Sequence, residues 1–458
     1  MSDKRQKIQL ELAFTEMSRG EAPRDSGEGT ETLMAKREAE SMAISKHLME
    51  AVCERRNCKQ ALARVKRNKG SAGIDGMTVE QLPAYLKQHW LTIRAQLISG
   101  TYKPQPVKRV EIPKPDGGMR KLGIPTVLDR FIQQAVLQVL QRSWDRTFSA
   151  QSYGFRPRRS AHQAVAKAQQ YIAEGYGWVV DLDLEKFFDR VNHDKLMARL
   201  ARRIGDKRML KLIRAFLRAG VLEGGLVSPI DEGTPQGGPL SPLLSNIVLD
   251  ELDRELEQRG HRFVRYADDC NIYVRSRRAG ERVMKSVSQF ITSKLKLKVN
   301  EEKSAVARPG RRKFLSFSFL GSEIVKRRIA AKAIVRFKQR VRELTRRTTG
   351  VSIETMVAQL SRYLTGWRGY FGFCQTPSVL RSLEQWLRRR LRAVVWKQWK
   401  YGRVRFAELQ KRGVSKNLAA QTAGSAHGPW RISNSPALSM ALPNTYFASL
   451  GLTPLVVN

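Results

Sequence analysis

The chain has 458 residues and 41% hydrophobic content, enough for about three globular domains with real cores. Its 83 Lys+Arg against 42 Asp+Glu leave a formal charge of +41, a self-repulsion that a polyanion would relieve, so nucleic acid is the expected partner. No run approaches the roughly 18 apolar residues of a membrane span, the N-terminal MSDKRQKIQLELAFTE lacks a secretory apolar core, and the basic residues are spread over the chain; a cytoplasmic protein without a membrane partner is expected. Cys53, Cys58, Cys270 and Cys374 lack Cys-x-x-Cys spacing and the six histidines are scattered, which excludes a zinc module.

Residues 1–42 are rich in Ser, Gly, Glu, Lys and Arg and poor in aromatics, a composition that predicts a mostly disordered tail. Helical periodicity follows from Ala43 to Arg67, ending at Asn68-Lys69-Gly70, and a second amphipathic helix runs from Val79 to about Ser99. Val107 to Ile112 reads as a strand that turns at Pro113–Gly118 and returns through Arg120-Lys121-Leu122, setting Lys114 and Arg120 on either side of one hairpin. Such cations can embrace a triphosphate, although exposed hairpin cations equally protect a sheet edge. A helix from Asp129 to Asp145 is expected beneath this hairpin.

Gln151–Ser160 combines Tyr153 and Phe155 with Arg156, Arg158 and Arg159 around Gly and Pro, an ordered loop whose rings and guanidinium groups suit a template strand or simply a basic surface. Trp178 to Leu184 is a buried strand with Asp181 and Asp183 on one face. Carboxylates on a central strand must be solvated, ion-paired or metal-bound. Asn192 caps the helix that follows. Thr234–Leu244 is a Gly-Gly loop entering a helix with Ser241 as N-cap and Pro242 at its first position.

Arg262 to Val274 reads as a hairpin with Asp268 and Asp269 at its tip. Alone, two aspartates at a tip describe a solvated turn; with a third carboxylate on the Trp178 strand they could hold Mg²⁺, which takes hard oxygen ligands. Further on come a helix over Gly280–Leu295, a short strand over Phe314–Phe317, and three basic helices over Ile334–Arg347, Ser352–Phe373 and Ser378–Lys400. Arg381–Arg412 holds eleven Lys or Arg against two acids, interleaved with tryptophans. Arg388, Arg389 and Arg392 are its candidate RNA contacts.

These pieces, in this order, resemble a bacterial group II intron reverse transcriptase-maturase. The boxes that carry the resemblance are Asn68-x-Gly-x-x-Gly-Ile-Asp75-Gly76, Ile112-Pro-Lys-Pro-Asp-Gly-Gly, Leu122-Gly-Ile-Pro-Thr, Ser152-Tyr-Gly-Phe-Arg-Pro, Thr234-Pro-Gln-Gly-Gly-Pro-Leu-Ser-Pro, Tyr266-Ala-Asp-Asp and Trp367-x-x-Tyr-Phe. The resemblance implies an α+β right-hand polymerase with an antiparallel palm sheet: a helical extension over 43–104, fingers and palm over 105–325, a helical thumb or maturase domain over 326–428, and a segment over 429–458 with no assigned role. It implies that Asp183, rather than Asp181, joins Asp268 and Asp269 in holding two Mg²⁺ ions, with Mn²⁺ able to substitute, and that the Leu184 carbonyl completes one shell. Lys114 and Arg120 would grip a dNTP, with the backbone at Lys186 and Phe187, the 2′-hydroxyl gate Phe188, and Gln236 and Gly237 around the nascent pair. The implied partners are intron RNA, an RNA template with a DNA primer, and target DNA, with the protein on the nucleoid when it engages that DNA. Many members end in a Cys- and His-bearing endonuclease; no such cluster occurs before Asn458, which predicts integration at nicks or replication-fork primers. Two alternatives stay open: a splicing cofactor whose main role is RNA binding, and a relative recruited to host repair or defence.

Overall fold

The computed structural model describes residues 46–113, 117–223, 226–228, 232–234, 237–321, 324–348 and 350–456. The tail expected at 1–42, Lys114 and Gln236 lie outside the described residues.

The first expected helix is two, α1 (Leu48–Cys53) and α2 (Arg55–Asn68), because Glu54 between them is extended at ψ 135°. Helix α3 (Leu82–Ser99) follows, then the hairpin of β1 (Val107–Pro113) and β2 (Met119–Ile124), in register from Lys108↔Ile124 to Pro113↔Met119. Helix α4 (Val127–Trp144) starts at Thr126, whose side chain accepts from the Asp129 N–H. Asp129 is itself fully buried and receives Tyr102 Oη, Gln105 N and Thr126 Oγ1, which ties the preceding segment to this helix. The α4 helix packs chiefly on α2 rather than beneath the hairpin. Helix α5 (Ala161–Ala173) opens with a reciprocal Ser160–Gln163 capping box.

After β3 (Trp178–Leu182) come a one-turn helix at Phe187–Asp189, α6 (His193–Ala201) capped by Asn192 as expected, and α7 (Lys207–Leu217). Strands β4 (Val221–Glu223) and β5 (Leu226–Ser228) extend the first hairpin into a sheet of order β2-β1-β4-β5. Helix α8 (Ser241–Gln258) has Leu240 as its N-cap, one residue earlier than expected, with Pro242 in its first turn. The central sheet has order β6-β7-β3-β8, with β6 (Arg262–Tyr266), β7 (Asp269–Val274) and β8 (Ala305–Ala307) all antiparallel to their neighbours. Between β7 and β8 runs α9 (Arg277–Phe290), which passes into a π-turn at Ile291–Leu295. The strand expected at Phe314–Phe317 begins only at Phe317, because Leu315 and Ser316 adopt positive φ and fold the chain into a tight turn; β9 (Phe317–Leu320) then pairs with β10 (Lys326–Ile329).

The basic region forms α10 (Ala331–Leu344), α11 (Ile353–Phe371) and α12 (Pro377–Gln398), then shorter helices to Ser449. One core joins α1–α4 to the two sheets' helices, with Met49, Phe131, Leu140, Leu182 and Leu249 in contact through it. A second belongs to α10–α12 and reaches Leu438, Phe447 and Leu455, so the C-terminal segment that had no assigned role completes this helical core. The fold is the expected α+β arrangement of an antiparallel sheet region followed by helices.

Candidate active site

Strands β6 and β7 pair with Tyr266 opposite Asp269, so Ala267-Asp268 is the turn. Strand β3 lies on the other side of β7 with Leu182 opposite Cys270; continuing that register by one residue brings Asp183 abreast of Asp269. The alternating strand thus delivers the distant third carboxylate to the hairpin tip.

The two aspartates of β3 are treated differently by their surroundings. Asp181 receives Arg312 Nε at 2.8 Å, and the Asn271 amide donates to its other oxygen at 2.9 Å. Among the described residues the Asp183 carboxylate has only Lys303 Nζ as an ion-pair partner, at 4.0 Å. Its backbone is tightly held, N–H to Ser304 Oγ at 3.0 Å and C=O from Asn300 N at 2.8 Å. The neighbouring Leu184 faces Val299 in a bridge in which Asp183 and Glu185 make the hydrogen bonds, leaving the Leu184 carbonyl without a backbone partner among the described residues.

Charge is crowded at the tip. Burial and then the Asp268, Asp181 and Asp183 carboxylates push Asp269 up to about 7, opposed by Lys313. The side chain of Asp269 nonetheless reaches water, and solvent screens part of this effect. Burial raises Asp268 as well, with Asp183 adding to it and Arg120 of β2 among the groups that lower it. Arg120 therefore acts electrostatically on the carboxylate turn from the hairpin of the other sheet.

A like-charged cluster of hard oxygen donors is what a divalent cation would neutralise. Among the described residues no group of three or more Asp, Glu, His or Cys side chains is gathered closely enough to hold a metal ion by itself. That suits an ion of the Mg²⁺ kind, which keeps waters and takes substrate phosphate oxygens beside one or two carboxylates. The donor chemistry fits.

Around this centre the nucleotide-pocket candidates converge in part. Gly237 stands at φ +129°, and a Cβ there would come within 2.6 Å of Gly123 O on β2, so the Gly-Gly loop lies directly against the strand that carries Arg120. Thr234 N donates to Phe188 O at 2.6 Å, and His193 Nε2 meets Gly233 O at 2.5 Å, which anchors the start of the same loop to the Phe188 turn. Phe188 is half-buried and edge-on to the buried Phe187, 5.3 Å between rings; Lys186 before them is left-handed at φ +47°.

The loop over 151–160 divides. Tyr153 is buried in the core beneath the central sheet and Arg156, 6% exposed, donates to Asp145, Ser149 O and Ser152 O, so these two fasten the loop and do not face a template. Phe155 and Arg158, both at positive φ, are exposed. A similar correction falls on α12. Arg388 pairs with Glu384, Arg389 donates to Trp430 O and stacks 4.1 Å over the Trp430 ring, and Arg392 donates to Leu442 O. All three are engaged within the helical region, two of them in holding the C-terminal segment. Cations without acidic partners gather elsewhere: Lys338, Arg342 and Arg390 surround the Trp386 ring at 5.5 to 5.7 Å, and none has an ion-pair partner among the described residues, although Arg390 is held by Thr345, to whose Oγ1 and carbonyl it donates. Arg312, Lys303 and Lys313 at the carboxylates also escape sequence reasoning; Arg312 and Lys313 lie in a short basic run with no periodicity, and Lys303 follows two glutamates.

An antiparallel sheet that carries Asp183, Asp268 and Asp269 at one end, with Arg120 of the facing hairpin acting on them, is the arrangement of a template-directed nucleotidyltransferase. The family model for reverse transcriptase (RNA-dependent DNA polymerase) matches residues 112–324, and that for the group II intron maturase-specific domain matches residues 334–413. Protein YkfC of Escherichia coli (strain K12) is 34% identical over 294 residues, 56% of this chain and 76% of YkfC. The group II intron-encoded protein LtrA of Lactococcus lactis subsp. cremoris is 40% identical over 199 residues, 43% of this chain but only 33% of LtrA. Among solved structures, the partial Cas6-RT-Cas1–Cas2 complex is 26% identical with a TM-score of 0.35, covering 54% of this chain and 42% of that one, too low a score to bear on the fold. The chain belongs to the group II intron reverse transcriptase/maturase family and is an RNA-directed DNA polymerase of that family.

Proposed function

We propose that this reverse transcriptase binds a group II intron RNA, assists its splicing, and copies it into target DNA during retrohoming. The observation that carries the reading is the convergence of Asp183, Asp268 and Asp269 in a chain that also has a maturase-specific domain. Asp183, Asp268 and Asp269, with the Leu184 carbonyl, would hold two divalent ions, Mg²⁺ or in its place Mn²⁺. Bound there, such ions acidify a primer 3′-hydroxyl and neutralise charge on the nucleotide phosphates.

The chain's own groups supply the rest. Arg120, with Lys114, orients the dNTP triphosphate; the Gly237 backbone admits the nascent pair beside Gln236; Phe188 closes the space a ribose 2′-hydroxyl would need. Phosphoryl transfer depends mainly on such positioning and charge stabilisation. Residues 105–325 act as fingers and palm and 326–428 as thumb, to which 429–456 is added by packing. Phe155 and Arg158 meet the template, and Lys338 and Arg342 at Trp386 meet RNA phosphates. No described helix is long and apolar enough to cross a membrane; the working compartment is the bacterial cytoplasm, at the nucleoid when target DNA is engaged. Asp268→Ala tests the division of labour: primer extension vanishes while assisted splicing survives. Equal loss of both, with RNA affinity and folding intact, overturns it.

A further inference from the structure

The carboxylate turn rests on a buried arginine. Arg265 lies on β6 two residues before Ala267, and its side chain is completely buried. Its guanidinium has five N–H groups and five acceptors. Nε and Nη2 donate to the two oxygens of the equally buried Asp253 on α8, Nη1 donates to Asn246 Oδ1 at 3.0 Å and to Ala267 O at 2.8 Å, and Nη2 donates to Ser152 Oγ at 2.8 Å. A planar fork with every donor satisfied is fixed in direction as well as charge.

What that fork holds is the strained point of the hairpin. Ala267 adopts φ +58°, a left-handed conformation that costs a residue with a Cβ. It is the residue immediately before Asp268, and its carbonyl is the acceptor of Arg265 Nη1. The same side chains bind the neighbouring loop. Asn246 Nδ2 donates to Gly154 O at 2.9 Å, the backbone of Arg265 bonds with Gln151 O and Tyr153 N, and a Cβ at Gly154 would lie 2.2 Å from Ala267 N. Helix, loop and turn thus meet at one guanidinium.

We propose that Arg265, with Asp253, Asn246 and Ser152, is a positioning residue for polymerisation: it holds the Ala267 carbonyl in the left-handed turn and thereby aims Asp268. This rests on the reading of Asp268 as part of the polymerase centre. A buried ion pair can be replaced by apolar residues without loss of stability, whereas removing one partner strands a charge. Stability and positioning are therefore separable. Arg265→Lys keeps the charge beside Asp253 but offers one nitrogen, which cannot reach Asp253, Asn246, Ser152 and the Ala267 carbonyl together. The combined Arg265→Met, Asp253→Leu variant keeps neither charge.

Each is assayed as the full chain for thermal unfolding and for primer extension on an RNA template, with kcat and KM for dNTP measured separately. In whichever variant melts near the wild-type temperature, kcat falls about tenfold to a hundredfold while KM for dNTP stays within about twofold, the size of loss expected from an ångström of misplacement. Adding Ala267→Gly, which removes the left-handed penalty, restores part of that kcat. A folded variant with wild-type kcat overturns the proposal, and so does a loss that Ala267→Gly leaves untouched. Asp183→Asn run alongside separates the two readings: if it still extends primers, the polymerase centre itself is misassigned, whereas an inactive Asp183→Asn with a fully active Arg265→Lys refutes only the role of Arg265.

Discussion

The carboxylates at the hairpin tip and the arginines of α12 are both crowds of like charge, but the fold treats them in opposite ways. At the hairpin tip Asp183, Asp268 and Asp269 are brought together, and burial, followed by the neighbouring carboxylates, raises Asp269 to about 7. On α12, Arg388, Arg389 and Arg392 each find a carboxylate, a carbonyl or a ring within the helical region. Arg342 and Lys338 of α10, by contrast, crowd Trp386 with no ion-pair partner among the described residues. A binding site is marked by charge that the fold leaves uncompensated, and counting charges along a helix does not find it.

The largest effect expected from this contrast is at Asp183. Asp183→Asn should lower the primer-extension rate by about a thousandfold or more, since a divalent ion is worth several kcal/mol to the transition state. Asp181→Asn, whose carboxylate is already held by Arg312 and Asn271, should cost far less. Single-turnover extension measures both, and the reverse ranking would mean that the paired aspartate is the metal-binding one.

Next is the pH dependence of cation binding. A cation displaces the proton on Asp269, so Mn²⁺ affinity should tighten about tenfold per pH unit up to about pH 7 and level off above it. Titration calorimetry in buffers of different ionisation enthalpy reads the released proton. In the metal-free protein the folded chain keeps a proton that the unfolded chain has already lost. Stability therefore falls as pH rises from the ordinary carboxylate range to about 7, and falls no further above it. Melting curves in chelator test this, and a melting temperature that rises across that window would show the carboxylates to be neutralised by other means.

On α10, Lys338→Gln with Arg342→Gln should weaken binding of a structured RNA by about tenfold at low salt and flatten its salt dependence by about one to two units of slope. The smallest effect on RNA is expected from Arg389→Ala and Arg392→Ala, which should leave affinity within about twofold but loosen the C-terminal segment by about 1 kcal/mol for each lost hydrogen bond. Filter binding and hydrogen exchange over 429–456 separate the two. If Arg389→Ala loses RNA affinity without loosening that segment, the contrast between engaged and free arginines fails.

The residues themselves specify a good deal. Alternation in Trp178–Leu184 and Arg262–Val274, the capping residues Thr126, Ser160 and Asn192, and the ordered boxes from Asn68 to Phe371 determine the element types, the family and the three carboxylates, because each is a local pattern a few residues long. Departures of the same scale occur where a single residue's backbone decides, as at Glu54, which splits a helix, or Leu315-Ser316, which delays a strand. Arg265 was open to the same reasoning that singles out Asp181 and Asp183, since a charge among the apolar residues of a strand requires a partner, but that partner is not evident from the strand alone. What only the tertiary structure decides is who partners whom. Arg312 reaches Asp181 across 131 residues of chain and Arg265 reaches Ser152 across 113, pairings that no periodicity encodes. They determine which charged groups are neutralised internally and which are left for a metal, a nucleotide or an RNA.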